Sequence, residues 1–416
     1  MDHSLRFASP QTSRPMAFNM RLLAQHELGG YGGLGEGMAL QQAPDGRRIL
    51  WLAHESAPKN FTGVDVTDPR RPEVVVQTEL PHARVRSNSL DVSGHLMAVA
   101  YQVNAVGLKP AGFDLYDISR PEAPRLISHF DASGPRSRGV HALWFVDGEF
   151  VHMASGADDF VPHDPRDDQC YRIIDVRNPF RPVEAGRWWM PGVRVGDEAP
   201  PPDRLPAPFD AGMRAHNTNV YPQRPDRAYV AYLDGGSFIL DISDKSRPKV
   251  VAHWRNSPPA HGFTHTVLPL FERGLMVVSD ESIKDGAADW PKLVWILDMH
   301  YEQRPLPLST LPLPDPQVFS RRGGRYGSHN LHENLPGPTS WRSEEIVVGT
   351  FFNGGVRAFD IRNPYQPREI AYFVPSSPPL SPAGAIQLND VYVDERQLVY
   401  TVDRFSGGLY ILEMTP

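Results

Sequence analysis

Hydrophobic and polar residues alternate along this chain in short runs, with turn signals about every 8–12 residues, the pattern of half-buried strands. Residues 88–92, 96–101, 113–117 and 125–130 read as four such strands in succession. One phrase recurs through the pattern: a hydrophobic pair, an Asp, a polar turn, and a Pro seven residues after the Asp. It runs from Asp65 to Pro72, Asp117 to Pro124, Asp175 to Pro182, Asp241 to Pro248, Asp298 to Pro305 and Asp360 to Pro367. Each copy leads into a β-rich run such as Glu73-Val74-Val75-Val76. Successive Asp residues stand 52, 58, 66, 57 and 62 residues apart, so the variation lies between the phrases. An Asp at that place caps the turn by accepting backbone N–H bonds, and a Pro, which has no N–H, suits the start of an outer edge strand.

Self-similar units built from short strands predict a propeller. Outer strands are expected near residues 20, 73, 125, 183, 249, 306 and 368, one for each of seven blades. The last unit, ending at Leu409-Tyr410-Ile411-Leu412-Glu413, has no outer strand of its own. Met20 to His26 reads like the run after Pro367 and is expected to supply it, which removes an open sheet edge. The expected fold is therefore all-β: a seven-bladed β-propeller over residues 18–416, closed by an N-terminal strand completing the last blade, with residues 1–17 as a polar extension. The phrases Ile173-Ile174-Asp175-Val176-Arg177-Asn178-Pro179 and Ile239-Leu240-Asp241-Ile242-Ser243 resemble the LVIVD-repeat propeller family, over roughly residues 20 to 416. The resemblance implies an architecture and no particular reaction, because propellers host many functions.

Composition narrows the partners. A net charge of −7 without basic clusters argues against nucleic acid. The single cysteine, Cys170, leaves no internal disulfide and no multi-thiolate metal site. No apolar run is long enough to span a membrane, and residues 1–15 lack the apolar stretch of a secretory leader, so a cytoplasmic location is expected. Neither a P-loop, a dinucleotide fingerprint nor a nucleophile elbow is present, and oligomeric state is left open.

Aligning the first strand of each blade stacks Met38, Asn88, His141, His216, His265, His329 and Asn389 at one position. First strands are innermost in a propeller, so these side chains are expected to converge on the axis. Four imidazoles without a thiolate suit a divalent ion, iron(II) first, with copper, zinc or manganese as alternatives. Metal-bound His commonly passes its other N–H to a carboxylate or carbonyl. Candidates for that work are Glu333, Asp234, Asp280, Glu281 and Asp403, with Glu333 and Asp234 expected to serve the chemistry. Met38, Asn88, Asn389, Arg325 and His261 are expected to line a pocket for a small-molecule substrate. The long connections from Ser155 to Cys170, Met190 to Met213, Asp280 to Trp290 and Leu311 to Gly327 fall on the face that carries the histidines and are expected to roof it. The acidic run from Asp158 to Asp168 is expected to be a solvated, mobile flap.

This layout is similar to the four-His iron centre of carotenoid-cleaving dioxygenases, in architecture and histidine number rather than in sequence motifs. The likeness implies an Fe(II) oxygenase acting on a small, largely apolar or aromatic substrate. A copper oxidase, on the precedent of the metal-binding propellers of the selenium-binding proteins, and a metal-dependent lyase or hydrolase are the enzymatic alternatives. A non-catalytic binding scaffold, with the histidines as channel filler, is the alternative from a different class.

Overall fold

The capped turns form as expected. In all six phrases the Asp accepts a hydrogen bond from the backbone N–H two residues on, at 2.8–3.0 Å. The outer strands Glu73–Glu79, Arg125–Asp131, Val183–Trp188, Lys249–Trp254, Leu306–Thr310 and Arg368–Val374 each begin on the residue after the Pro. Asp closes the turn and Pro opens the edge, so the phrase is a local instruction that folds the same way six times.

These units build a seven-bladed propeller of antiparallel sheets in the computed structural model, which describes residues 14–415. The first blade is Leu34–Gln42, Arg48–His54, Lys59–Asp65 and Glu73–Glu79. The third is Val140–Trp144, Phe150–Ser155, Cys170–Asp175 and Val183–Trp188, and the fourth and fifth repeat its order. The seventh takes Leu388–Val393, Leu398–Asp403 and Leu409–Met414 from the end of the chain and Met20–His26 from its start. Arg21 lies opposite Glu413 in that register, and the two form an ion pair.

The start of the chain contributes a second strand as well. Residues 1–13 of the expected extension lie outside the described residues, but Met16–Phe18 pairs with Tyr372, Phe373 and Val374 at the rim of the sixth blade. An outer strand leaves one row of N–H and C=O groups unpaired, and any adjacent extended segment can satisfy it.

Apolar side chains pack between blades. One cluster runs from Trp144 in the third blade through Ile239 and Val277 to Phe359 in the sixth. Strands buried on both faces lose the strict alternation of a one-sided sheet, which is why Val347-Val348 and Ile173-Ile174 are buried in pairs.

Every inner strand is interrupted at the ring position. His141 falls in a register shift between Val140 and Ala142, His265 between Thr264 and Thr266, and Asn389 between Leu388 and Asp390. His216 and Asn217 together face Ala231, and His329 and Asn330 together face Thr350. Two residues opposing one is a β-bulge, which turns a side chain out of the alternation of the strand. In the first blade the shift between Leu34 and Met38 is a residue larger, and it moves the ring position from Met38 to Glu36. The alignment that placed Met38 in the ring is corrected by this bulge.

Removing residues 1–26 deletes the closing strand and bares the edge of Leu409–Met414. The shortened chain is expected to melt at a lower temperature and to self-associate on size-exclusion chromatography. Unchanged melting and a monomeric profile equal to the full chain would refute closure by this strand.

Candidate metal centre

Four histidines from consecutive blades meet on the axis, with ring centroids 4.4 Å (His141–His216), 4.1 Å (His216–His265) and 4.5 Å (His265–His329) apart. Their Nε2 atoms surround one carboxylate. Glu36 Oε2 lies 3.9 Å from His141, 3.8 Å from His216 and 3.5 Å from His265, and Oε1 lies 3.5 Å from His329. Glu281 stands beside them, with Oε1 3.5 Å from His329 and Oε2 4.0 Å from His265. Two sets, Glu36–His216–His265 and His265–Glu281–His329, each gather their donor atoms within 4.8 Å of one another.

Glu36 reaches the axis because its neighbours are glycines. A Cβ on Gly35 would lie 2.4 Å from the Asn88 carbonyl oxygen, and one on Gly37 would lie 2.2 Å from Leu90 N. The first two blades can approach this closely only with no side chain on either flank. The Glu36 N–H donates to the Asn88 carbonyl at 2.7 Å, and Asn389 Nδ2 donates to the carbonyls of Leu34 and Gly35 at 3.0 and 2.9 Å. A lone acid between two glycines is the signal in the sequence that points to Glu36.

The outer ring nitrogens are held by protein groups. His329 Nδ1 donates to the Asn389 carbonyl at 2.6 Å, which fixes that tautomer and leaves Nε2 as an acceptor. Asn217 Nδ2 donates to Glu333 Oε1 at 2.8 Å, so its Oδ1 faces His216 Nδ1 at 2.9 Å and fixes that ring in the same way. His265 Nδ1 pairs with the Thr266 hydroxyl at 2.9 Å. His141 stands apart: its Nδ1 lies 3.1 Å from Gln102 Oε1 and 3.2 Å from Arg86 Nη2, and its Nε2 is 2.7 Å from that of His216. With His216 Nε2 an acceptor, His141 donates to it from Nε2, and its Nδ1 accepts from Arg86.

Burial lowers the pKa of His141, His216 and His329, His216 to about 3, so these rings are neutral at pH 7. His265 moves the other way: burial opposes its charge, but the Glu36 and Glu281 carboxylates outweigh burial and raise it. Among the buried polar atoms without a hydrogen-bond partner are Glu36 Oε2, His265 Nε2 and His329 Nε2. Orphaned acceptors facing one another in a buried site call for a cation. The donors are imidazole nitrogen and carboxylate oxygen only. Cys170 is buried elsewhere, its thiol donating to the Ser155 carbonyl at 3.4 Å. The residues present fit a divalent ion.

The other sequence candidates spread out from this centre. Glu333 lies behind His216, reached through Asn217, and also accepts from Asn219 Nδ2 at 2.7 Å. With Asp91, Asp390 and Met38 it lines a cavity of about 40 Å3 deeper along the channel. Burial pushes Asp91 up to about 8 and raises Asp390 and Glu333 too. Asp234 accepts from the backbone of Ala211 and Gly212 at 2.6 and 3.1 Å and has no contact with the ring histidines among the described residues. Asp403 caps Ser406 and Gly407 at 2.8 and 2.7 Å, and Asp280 accepts from Asn256 and Trp295. Arg325 does reach the centre, through Glu281 Oε1 at 2.8 Å. His261 stacks on Phe209 with centroids 3.9 Å apart and bonds the Asp289 carbonyl. Asn88 holds its ring position, buried, with neither side-chain atom hydrogen-bonded. Asn389 acts as a brace, through its carbonyl to His329 and its amide to the Glu36 segment.

Two aromatic side chains flank the ring in strained backbone. Phe352 (φ 47°) stacks on His329 at 4.5 Å, and Phe263 (φ 67°) lies 6.4 Å from His216. The acidic run is solvated at Asp158 and Asp159, as expected, but its far end is buried. Asp167 is buried, accepts from Met213 N at 2.7 Å and pairs with Arg204 at 2.8 Å, while Asp168 pairs with Arg138 at 2.6 Å. Arginines supplied by neighbouring loops hold these aspartates in place where solvent was expected.

The LVIVD repeat matches residues 226–254, from within the second strand of the fourth blade, Arg224–Ala231, to the end of its outer strand, Lys249–Trp254. No curated protein sequence matches the chain. Among solved structures, the β-propeller domain of Cps50 (Swd1) from Myceliophteria thermophila is similar at 13% identity and a TM-score of 0.56, over 95% of this chain and 100% of that one. The computationally designed Ika8 protein aligns at 12% identity and a TM-score of 0.48, over 94% of this chain and 99% of that one. At 13% identity the likeness to the Cps50 domain is one of fold, and this chain is a seven-bladed β-propeller with an LVIVD repeat in its fourth blade.

Proposed function

We propose that this chain is a metal-dependent oxidoreductase whose ion is held on the propeller axis by His216, His265, His329 and Glu36, with Glu281 and His141 beside them. The convergence of four Nε2 atoms on one buried carboxylate, with orphaned acceptors on both sides, carries the reading. Six nitrogen and oxygen donors exceed the four of a closed zinc site, and no thiolate or thioether favours copper(I). Iron(II) is the ion that this set suits best. When bound, it would supply Lewis acidity and the one-electron steps that dioxygen chemistry needs.

The chain's own residues have distinct duties in this reading. The Asn389 carbonyl and the Asn217 side chain hold His329 and His216 with their free nitrogens inward. Arg325 pins one oxygen of Glu281 and leaves the other toward His265. Phe263 and Phe352 wall the ring and keep water from its sides. His141 is the open side: its side chain is 14% exposed against 3% for His216 and 0% for His265 and His329. Substrate therefore reaches the centre past His141.

Protein purified without chelator is expected to carry about one equivalent of iron, lost in His329→Ala and in Glu36→Gln, as read by elemental analysis. Metal content that is absent, or unchanged in both variants, would overturn the proposal. One zinc or copper in place of iron would keep the site and replace the redox chemistry. Asn217→Ala, which frees the His216 ring without touching a donor, is expected to weaken metal binding roughly 10- to 100-fold in chelator competition.

The raised His265 gives a pH dependence with a definite sign. Metal-free protein holds a proton there to higher pH than an ordinary histidine does, because the Glu36 and Glu281 carboxylates outweigh burial, and a bound ion displaces it. Affinity is expected to rise about tenfold per pH unit up to that pKa and to level off above it. Below that pKa, calorimetric titration in buffers of different ionisation heat reads this as about one proton released. Release of none would contradict the assignment of His265.

A further inference from the structure

The mouth of the channel is crowded with arginine. Arg86 and Arg214 stand two residues before the ring positions Asn88 and His216, and Arg138 stands three before His141. Arg404 follows the second strand of the seventh blade, Leu398–Asp403. These four share two carboxylates. Asp168 takes Arg138 Nε at 2.6 Å and Arg214 Nη1 at 3.2 Å, and Glu55 takes Arg86 Nη1 at 2.7 Å together with Arg404. The remaining nearby acids are engaged elsewhere, Glu281 with Arg325 and Glu36 with the histidines. Four guanidiniums over two carboxylates leave the mouth cationic, and a divalent ion beneath would add to the excess.

Part of that excess has unused hydrogen-bonding capacity. Arg138 spends only Nε on a protein partner, and Arg214 spends only Nη1, on Asp168 and the Arg166 carbonyl, among the described residues. Arg214 is held below its ordinary pKa, because burial and the charges of Arg138 and Arg86 outweigh Asp168. A cavity of about 310 Å3 opens beside Arg138, lined by Glu55, Arg84, Arg86, Gln102 and Arg138, and Arg214 adjoins it through the Asp168 carboxylate that it shares with Arg138. That is at the lower end of the ~300–1,000 Å3 of small-molecule sites. Gln102 also touches His141, the exposed ring of the centre, so the cavity adjoins the point where the metal site opens. Between Glu36 and His141 in ring order sits Asn88, buried, with both side-chain polar atoms unpartnered.

We infer that this mouth anchors the substrate by a carboxylate, gripped by the free nitrogens of Arg138 with Arg86 alongside and the charge of Arg214 nearby. Planar guanidinium forks match a carboxylate in two parallel bonds, and Asp168 already shows the two arginines converging on one such group. Phosphate sites typically add a helix N-terminus or a nest of backbone N–H groups. The only α-helix among the described residues is Pro316–Phe319, and it does not line this cavity. The assignment rests on the metal-enzyme reading for the word substrate, and it adds an anionic head to the small, largely apolar or aromatic substrate expected from the sequence. Phe352 and Phe263 remain available to its apolar part.

The test is calorimetric binding to the protein as purified, with acetate, succinate, benzoate, phenyl phosphate and the neutral benzamide as probes. Metal content is measured on the same samples. At least one carboxylate is expected to bind, more weakly as salt is raised, and benzamide is not. Arg138→Gln is expected to weaken binding at least tenfold, and Arg214→Gln and Arg138→Lys by less, with metal content as in the parent protein. Thermal melting checks each fold, and Arg138→Lys carries the test should Arg138→Gln fail to fold. The proposal is overturned if no carboxylate binds, if benzamide binds as well as benzoate, if phenyl phosphate outcompetes every carboxylate, or if the arginine variants bind normally. Arginine-dependent carboxylate binding without metal would keep the anchor and sink the metal centre. Metal without carboxylate binding would do the reverse.

Discussion

A carboxylate buried among imidazoles governs this molecule's axis. Burying Glu36 is costly unless opposite charge or strong donors compensate, and the first neighbours it meets are four imidazoles. Three of those are kept neutral by burial, and while the Nε2 lone pair of His216 is met by His141, that of His329 faces the carboxylate unpartnered. Only a proton or a cation reconciles such a set, and His265 takes the proton when nothing else does. The glycines, the bulges and the bracing amides make sense as the means of holding that conflict in place.

The bulge is the device that makes it possible. A regular inner strand would point alternate side chains into the neighbouring blades, and the ring position would share their fate. One extra residue per blade turns His141, His216, His265, His329 and Asn389 toward the axis. The first blade uses a longer shift and presents an acid where the others present imidazole or amide. Closure at Met20–His26 then fixes the distance between the first and seventh blades, which lets Asn389 brace both His329 and the Glu36 segment.

Charge is layered along the channel. Arginines sharing too few carboxylates stand at the mouth, histidines and two glutamates at the centre, and acids raised by burial, Asp91, Asp390 and Glu333, further in. The buried end of the acidic loop belongs to this arrangement: Asp168 spaces Arg138 from Arg214, and Asp167 ties the loop to Arg204 and Met213. Anions are drawn to the mouth and cations to the centre, which suits a site that must assemble both.

What the sequence determined alone was whatever a local phrase can encode. Six Asp-to-Pro intervals set the turns, the start of each outer strand and so the number of blades, because capping and the missing proline N–H act within a few residues. The four histidines were legible for the same reason, since each recurs at one place in a repeated unit. Glu36 was not, because its bulge breaks the register on which the alignment depended and put Met38 in its place. Asp234 resembled Glu281 in the sequence, each near the end of a second strand, yet one caps a loop and the other meets two histidines. Which acid turns inward depends on the packing of neighbouring blades and loops far apart in the chain. Only the closed ring decided that, because the partners of every axial side chain come from other blades.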